Sequence, residues 1–136
     1  MDTPRQVAEK LVTGISERRF DEVATLYAED CVVEVPYATA GAAPLIEGGA
    51  AIREHFAHAG MVPFRLRARD LVVHETDDPE LVVSEWDYEV TATTTSRTAT
   101  VANVQFLRVR DGLIVHSRDF HDHARLAGLA NLAGAQ

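Results

Sequence analysis

The hydrophobic repeat of this chain changes once, near Pro63, and that change limits the folds open to it. Before Pro63 the apolar residues recur at helical spacing, whereas from there to about Phe120 they alternate with polar residues, which is typical of half-buried strands. Helices followed by consecutive strands predict an α+β domain, with the helices packed on one face of a curled, mainly antiparallel sheet. The length of 136 residues fits a single domain, 1–136, with one core.

Three helices are predicted before Pro63. The first begins at Thr3, which is followed by a proline at the first helical position and by Gln6 three residues after the cap. Asp21 is expected to cap a shorter second helix. A third helix is predicted to end near Gly60.

Turn residues divide the rest of the chain into strands. An early strand at 31–35 ends at Pro36, and the loop at 36–49 that follows is either a lid over a pocket or plain surface. The later strands are predicted at 64–74, 81–95, 98–109 and 113–120.

Charge and cysteine content exclude several classes of partner. The chain has 13 Lys+Arg against 21 Asp+Glu, a formal net charge of −8, so a phosphate backbone would be repelled and no nucleic acid is expected. Cys31 is the single cysteine, and no apolar run approaches the ~18 residues that span a bilayer. The first residues lack a secretory signal, so we expect a cytoplasmic protein that does not bind membranes.

The two faces of the sheet are predicted to meet different surroundings. Trp86 and Tyr88 share one face of their strand, which should be covered. On the next strand both faces carry apolar residues, although a sheet wet on one side should not. We therefore expect a homodimer through the outer sheet face, formed by Ala102, Val104, Phe106 and Ile114.

The last hairpin has two alternative registers. With a two-residue turn at Asp111-Gly112, Val104 and Phe106 lie on the face of Asp119. With a three-residue loop at Arg110-Asp111-Gly112, in which Gly112 is left-handed, Asn103 lies opposite Asp119 and Gln105 lies opposite Ser117. The second register is favoured because it gathers polar side chains that can satisfy one another, namely Asn103, Gln105, Ser117 and Asp119.

Several stretches together resemble a known family. They are the helical pair, Tyr27-Ala28-Glu29-Asp30 before a strand and Pro36, Ile52 and Phe56 on a helix, Asp111-Gly112-Leu113-Ile114, and Arg118-Asp119-Phe120-His121-Asp122. The chain resembles the SnoaL-like polyketide cyclases of the nuclear-transport-factor-2-like superfamily, with ketosteroid isomerases and limonene epoxide hydrolases as more distant relatives. The resemblance implies a cystatin-like α+β barrel around a cone-shaped pocket.

The resemblance also implies a function and a site. It predicts a cofactor-free enzyme of the lyase or isomerase class that acts on a small, largely apolar carbonyl compound, as an aldol-type cyclase or isomerase does. Asp119 is the catalytic acid/base that it implies. The substrate-binding residues expected are Asn103, Gln105, Trp86, Tyr88, Phe56 and Tyr37.

Departures from the relatives disfavour two other reactions. Trp86 and Tyr88 stand where the epoxide hydrolases carry an arginine and a second aspartate. Val35 stands where the isomerases carry a carboxylate before the proline, although Glu34 is one residue away.

Two alternatives concern the end of the last strand and the class of function. Asp119, His121 and His123 would form a two-His-one-carboxylate set on a continuing strand, but the strand is predicted to end near Phe120, so no metal is expected and Asp122 is interpreted as a helix N-cap. The rival function is a non-catalytic ligand-binding or interaction module of the same fold. An open pocket above Asp119 would favour the enzyme, and a filled cone would favour the module.

Overall fold

The computed structural model describes residues 1–39, 43–132 and 134. Its elements are, in chain order, α1 (Pro4–Ser16), α2 (Phe20–Ala24), β1 (Tyr27–Glu34), β2 (Leu45–Glu47), α3 (Gly49–Ala59), β3 (Phe64–Glu75), β4 (Leu81–Ala92), β5 (Thr98–Arg110), β6 (Leu113–His121), α4 (His123–Ala127) and α5 (Leu129–Leu132). Residues 40–42 of the loop predicted at 36–49 lie outside the described residues, and β2 occupies a later part of that loop.

Helix α1 begins as its sequence predicts. Thr3 Oγ1 accepts a hydrogen bond from the Gln6 backbone N–H at 3.2 Å, and Gln6 Oε1 accepts one from the Thr3 N–H at 2.9 Å, which is a capping box. The prediction for α2 is wrong in one respect, since the helix begins at Phe20 and Asp21 lies in its first turn instead of at the cap. A carboxylate there still complements the helix dipole.

The strands form one six-stranded sheet in the order β2-β1-β6-β5-β4-β3. Every pairing is antiparallel except that of β1 with β6, which is parallel. The helices pack on the concave side, where α1 buries Val7, Leu11 and Val12. The predicted α+β fold is confirmed, and β6 lies near the middle of the sheet with β1 and β5 on either side.

The last hairpin combines features of both predicted registers. Asp111 and Gly112 form a two-residue turn, with φ of 53° and 77°, as a type I′ turn requires. A bulge then leaves Val115 unpaired, because Val109 pairs with Ile114 but Arg108 pairs with His116. One extra residue moves every later side chain of β6 to the opposite face.

The resulting pairs differ from the favoured prediction by two residues. Gln105 lies opposite Asp119, and Asn103 lies opposite His121. The predicted polar patch on one face is therefore correct, but its partners are exchanged and β6 continues through His121.

The outer face of the sheet carries an apolar patch. Val104 is 39% exposed and Phe106 is 36% exposed, and the Phe106 ring packs against Phe120 with centroids 5.9 Å apart. Ile114 was predicted on this face but is fully buried in the core, because it precedes the bulge. Of the described helices, none combines the length and apolar character needed to cross a bilayer.

Candidate active site

Asp119 lies on the inner face of β6, held by two neighbouring donors. Gln105 Nε2 donates to Asp119 Oδ1 at 2.9 Å, and the Ser117 hydroxyl donates to the same oxygen. Gln105 is 5% exposed and Ser117 is fully buried. Within the described part of the chain Oδ2 makes no hydrogen bond, so one carboxylate oxygen is fixed and the other is free to act.

His121 joins this group from the next inward position of β6. Its Nδ1 lies 2.7 Å from Asn103 Oδ1, and Asn103 Nδ2 donates to the Val101 carbonyl at 2.9 Å. The second bond orients the amide, so its oxygen faces the ring and His121 Nδ1 must carry the proton. Neutral His121 therefore has an unprotonated Nε2, which is a basic site.

Burial sets the protonation of the titratable groups around Asp119. Burial lowers the pKa of His121, while the charge of Asp119 acts in the opposite direction. The pKa of Tyr27 and that of Tyr88 are both raised, mainly by burial and additionally by the Asp119 charge. Both phenols are therefore protonated donors at neutral pH.

His55 of α3 lies within electrostatic reach of Asp119 and His121. More than a third of the residue is exposed, yet the protein around its ring lowers its pKa, with the Asp119 charge opposing that change. Neither His55 nor His121 was predicted as a site residue. The sequence signal for His121 is the alternation of Asp119, His121 and His123, which carries no weight if the strand ends at Phe120, as the sequence predicts.

The C-terminal helices cover the aromatic part of the cone. Leu126 of α4 and Leu129 of α5 pack on the cluster that contains Trp86 and Tyr88. Contacts with the β4–β5 turn hold this cover, since the Thr95 hydroxyl donates to the Leu132 carbonyl and Arg97 Nη1 to the Asn131 carbonyl at 3.4 Å.

Two depressions on the surface lie away from Asp119. One of about 350 Å³ is lined by residues that include Arg18 and Phe20, and another of about 340 Å³ by residues that include Lys10 and Thr25. Neither depression is lined by Asp119. We assign the candidate site to the polar group around Asp119 because its side chains can accept and donate protons.

The structure does not bring every predicted site residue to Asp119. Tyr37 is 69% exposed and packs edge-on against Phe120, on the outer side of the sheet. Phe56 is buried in the core between Phe20 and Tyr27. Glu34 points outward too, with Oε2 2.6 Å from His116 Nε2, so it does not replace the missing base before Pro36.

The end of β6 separates the remaining candidates. Asp122 caps α4, since its Oδ1 accepts a hydrogen bond from the Arg125 N–H at 3.1 Å, and its predicted N-cap role is confirmed. The rings of His121 and His123 are 6.0 Å apart. Among the described side chains, no three His, Cys, Asp or Glu residues are grouped to hold a metal ion.

Short helices on a curved six-stranded sheet form the nuclear-transport-factor-2-like fold. The family model for the SnoaL-like domain matches residues 8–117. The chain belongs to this SnoaL-like family.

Known proteins similar to this chain agree with that assignment. An uncharacterized PhzA/B-like protein of Pseudomonas aeruginosa is 33% identical over 102 residues, which are 74% of this chain and 70% of the relative. A proposed isomerase from Bacillus subtilis has a TM-score of 0.82 at 23% identity, covering 96% of this chain and 92% of that one. A proposed polyketide cyclase from Xanthomonas campestris has a TM-score of 0.76 at 19% identity, covering 90% and 93%. The two structures establish the fold.

Proposed function

We propose that this protein binds a small, largely apolar carbonyl compound and moves a proton to or from it by general acid/base catalysis, without a cofactor. The observation that carries this proposal is the arrangement of Asp119, whose Oδ1 is fixed by Gln105 and Ser117 while Oδ2 accepts no hydrogen bond from the residues that the structure describes. A positioned base of this kind needs to lie within hydrogen-bond reach of the proton that it removes. The reaction class is that of an aldol-type cyclase or an isomerase.

The geometry divides the work between the polar residues. Asp119 takes the proton, and Gln105 and Ser117 position its carboxylate. The substrate-orienting role expected of Gln105 stays a prediction beside this one. Asn103 similarly sets the tautomer of His121. His121 Nε2, kept neutral by burial, is then a second basic site, which can take a proton from one atom of the substrate and return that same proton to another.

The relatives support the same reaction class. The chain belongs to the SnoaL-like family, and neighbours of the same fold have been proposed to be a polyketide cyclase and an isomerase. The superfamily fold hosts several chemistries, so the site residues carry the mechanism.

A second candidate function is a non-catalytic ligand-binding module. The observation that favours it is the packing of Leu126 and Leu129 against the cluster that contains Trp86 and Tyr88. In that case Asp119 would only satisfy the buried donors of Gln105 and Ser117.

Hydrogen–deuterium exchange separates the two functions. A panel of aryl ketones and 1,3-diketones is incubated with the protein in D₂O, and loss of the α-proton signal is followed by ¹H NMR. An acid/base enzyme accelerates exchange for at least one member of the panel, and Asp119→Asn removes the acceleration. A module that binds a ketone without accelerating its exchange contradicts the proposed function.

A further inference from the structure

Three side chains on the inner face of β4 carry a buried hydrogen-bond donor that has no partner among the described residues, namely Ser84, Trp86 and Tyr88. Trp86 Nε1 and the Tyr88 hydroxyl form no hydrogen bond with the described residues, and each residue is only 6% exposed. Buried donors are almost always paired in folded proteins, because losing water without a replacement costs free energy. Two orphaned donors on alternate residues of one strand therefore suggest a ligand atom that pairs with both.

The two donors lie close enough to act on one atom. The rings of Trp86 and Tyr88 are nearly perpendicular, at 88°, with centroids 5.7 Å apart. Burial raises the pKa of Tyr88, and the neighbouring indole N–H of Trp86 opposes this with a smaller effect. The contact nevertheless lacks hydrogen-bond geometry, so both hydrogens remain available.

The position of the pair points toward the proposed base. Trp86 lies opposite Asn103 across the strand pair, and Asn103 in turn contacts His121. The Asp119 charge contributes to the raised pKa of Tyr88, so the phenol lies within electrostatic reach of the carboxylate. A ligand on the pair would thus face Asp119 and His121 with its other atoms.

We propose that Trp86 Nε1 and Tyr88 OH form a paired-donor site for the carbonyl oxygen of an apolar ligand, which displaces the C-terminal cover of Leu126 and Leu129. The sequence predicted these residues only as apolar walls. The choice of a carbonyl rests on the proposed function; the binding itself needs no catalysis.

The chemistry of the pair selects this group over others. An sp² oxygen has two lone pairs and accepts two hydrogen bonds, whereas an ammonium group would offer only further donors. A carboxylate ligand would be repelled by Asp119 and by a chain with a net charge of −8. When a proton leaves the adjacent carbon, the same two donors stabilise the charge that develops on the oxygen.

Matched ligands test the donor pair directly. 2-Acetylnaphthalene and 2-isopropenylnaphthalene have nearly the same shape, but only the first carries an oxygen. By calorimetric titration, the wild type is expected to bind the ketone about 10-fold more tightly than the alkene. Tyr88→Phe and Trp86→Phe should each weaken ketone binding about 5- to 10-fold and leave alkene binding unchanged.

A control and a spectroscopic signal complete the test. Ser84 also has a buried hydroxyl without a partner on this face, and Ser84→Ala should retain the preference for the ketone. The ¹³C signal of carbonyl-labelled ketone should move downfield on binding to the wild type, and this shift should be reduced in Tyr88→Phe. Because the Tyr88 hydroxyl has no partner in the described part of the chain, that variant should not lower the melting temperature of the unliganded protein.

Several results would overturn the donor pair. They are equal or unmeasurable binding of both ligands by the wild type, an intact ketone preference in Tyr88→Phe, or a lowered melting temperature that shows the hydroxyl is already satisfied. Ketone preference without α-proton exchange would leave the pair standing and refute the acid/base function. Exchange without ketone preference would refute the pair alone.

Discussion

Asp119 and Asp122 are three positions apart in sequence, but they lie on different elements and bond to different partners. Asp119 lies on the inner face of β6 and accepts hydrogen bonds from side chains, whereas Asp122 accepts one from the backbone at the start of α4. Asp119 and Asp122 can therefore serve as each other's control, because the same substitution is expected to have a different effect at each residue.

Asp119→Asn should retain fold and ligand affinity while turnover falls by roughly 10² to 10⁴, the usual contribution of general acid/base catalysis. Asparagine keeps the shape and the accepting oxygen but loses basicity. Asp122→Asn should change little, since asparagine caps a helix about as well as aspartate. Steady-state kinetics on a substrate found by deuterium exchange would decide the matter, and the reverse ranking would show that Asp119 is not the base.

Acid should destabilise the protein partly through His121. Its folded pKa lies below the ordinary 6.5, which is close to the value expected in the unfolded chain, so the unfolded state binds more protons between the two values. This contribution to stability is fully present above about pH 6.5 and is lost as pH falls through the folded pKa.

Thermal unfolding followed by circular dichroism between pH 7 and 5 measures the effect. The melting temperature of His121→Asn should fall less on acidification than that of the wild type. His58→Asn alters an exposed histidine of α3 and should behave like the wild type. Parallel curves for all three proteins would contradict the assignment.

Loosening the C-terminal cover should expose Trp86. Trp86 is the single tryptophan of the chain, so its emission reports on this part of the cone alone. Replacing Leu126 and Leu129 together with alanine should shift the emission to longer wavelength and increase quenching by acrylamide, because apolar contacts are lost. Leu45→Ala, at an exposed position of β2, is the control; an unchanged Trp86 signal in the double variant would show that the leucines do not shield the ring.

We propose that the outer sheet face forms a homodimer through Val104, Phe106 and the neighbouring Phe120. Such an interface should bury at least ~1,000 Å² in total. Phe106→Glu should yield a monomer in light scattering at micromolar concentration, while Met61→Glu, which places the same charge at a residue 77% exposed, should not. A monomeric wild type would contradict the proposal.

The local sequence pattern predicts the helices and strands of this fold, but it does not predict which side chains contact one another in the candidate site. The alternation along β4 and β5 correctly separates buried Ser84 and Trp86 from exposed Glu85, because one residue in two faces the core. The bulge at Val115 has no comparable signature. Its consequence is large, since it decides whether Asp119 meets Gln105 or Val104.

The local pattern also does not predict that β6 extends to His121, one residue beyond Phe120. His121 is polar, so no apolar residue indicates that the strand continues past Phe120. Tertiary pairing with Asn103 supplies what the pattern lacked. The packing of Leu126 and Leu129 likewise depends on the direction of the chain after Asp122. The N-cap signal at Asp122 predicts that a helix begins there, but it does not predict which surface that helix packs against.

The parallel pairing of β1 with β6 also bears on the order in which the molecule folds. Strands β3 to β6 are joined by successive hairpins. In contrast, Val33 of β1 pairs with Ser117 of β6, which is far away in sequence. Contacts between distant parts of a chain form slowly. During synthesis β1 is made long before its partner exists. We therefore expect the hairpin sheet to form first and the early strand to dock last, so that Asp119, on the strand where the two parts meet, is enclosed only at the final step.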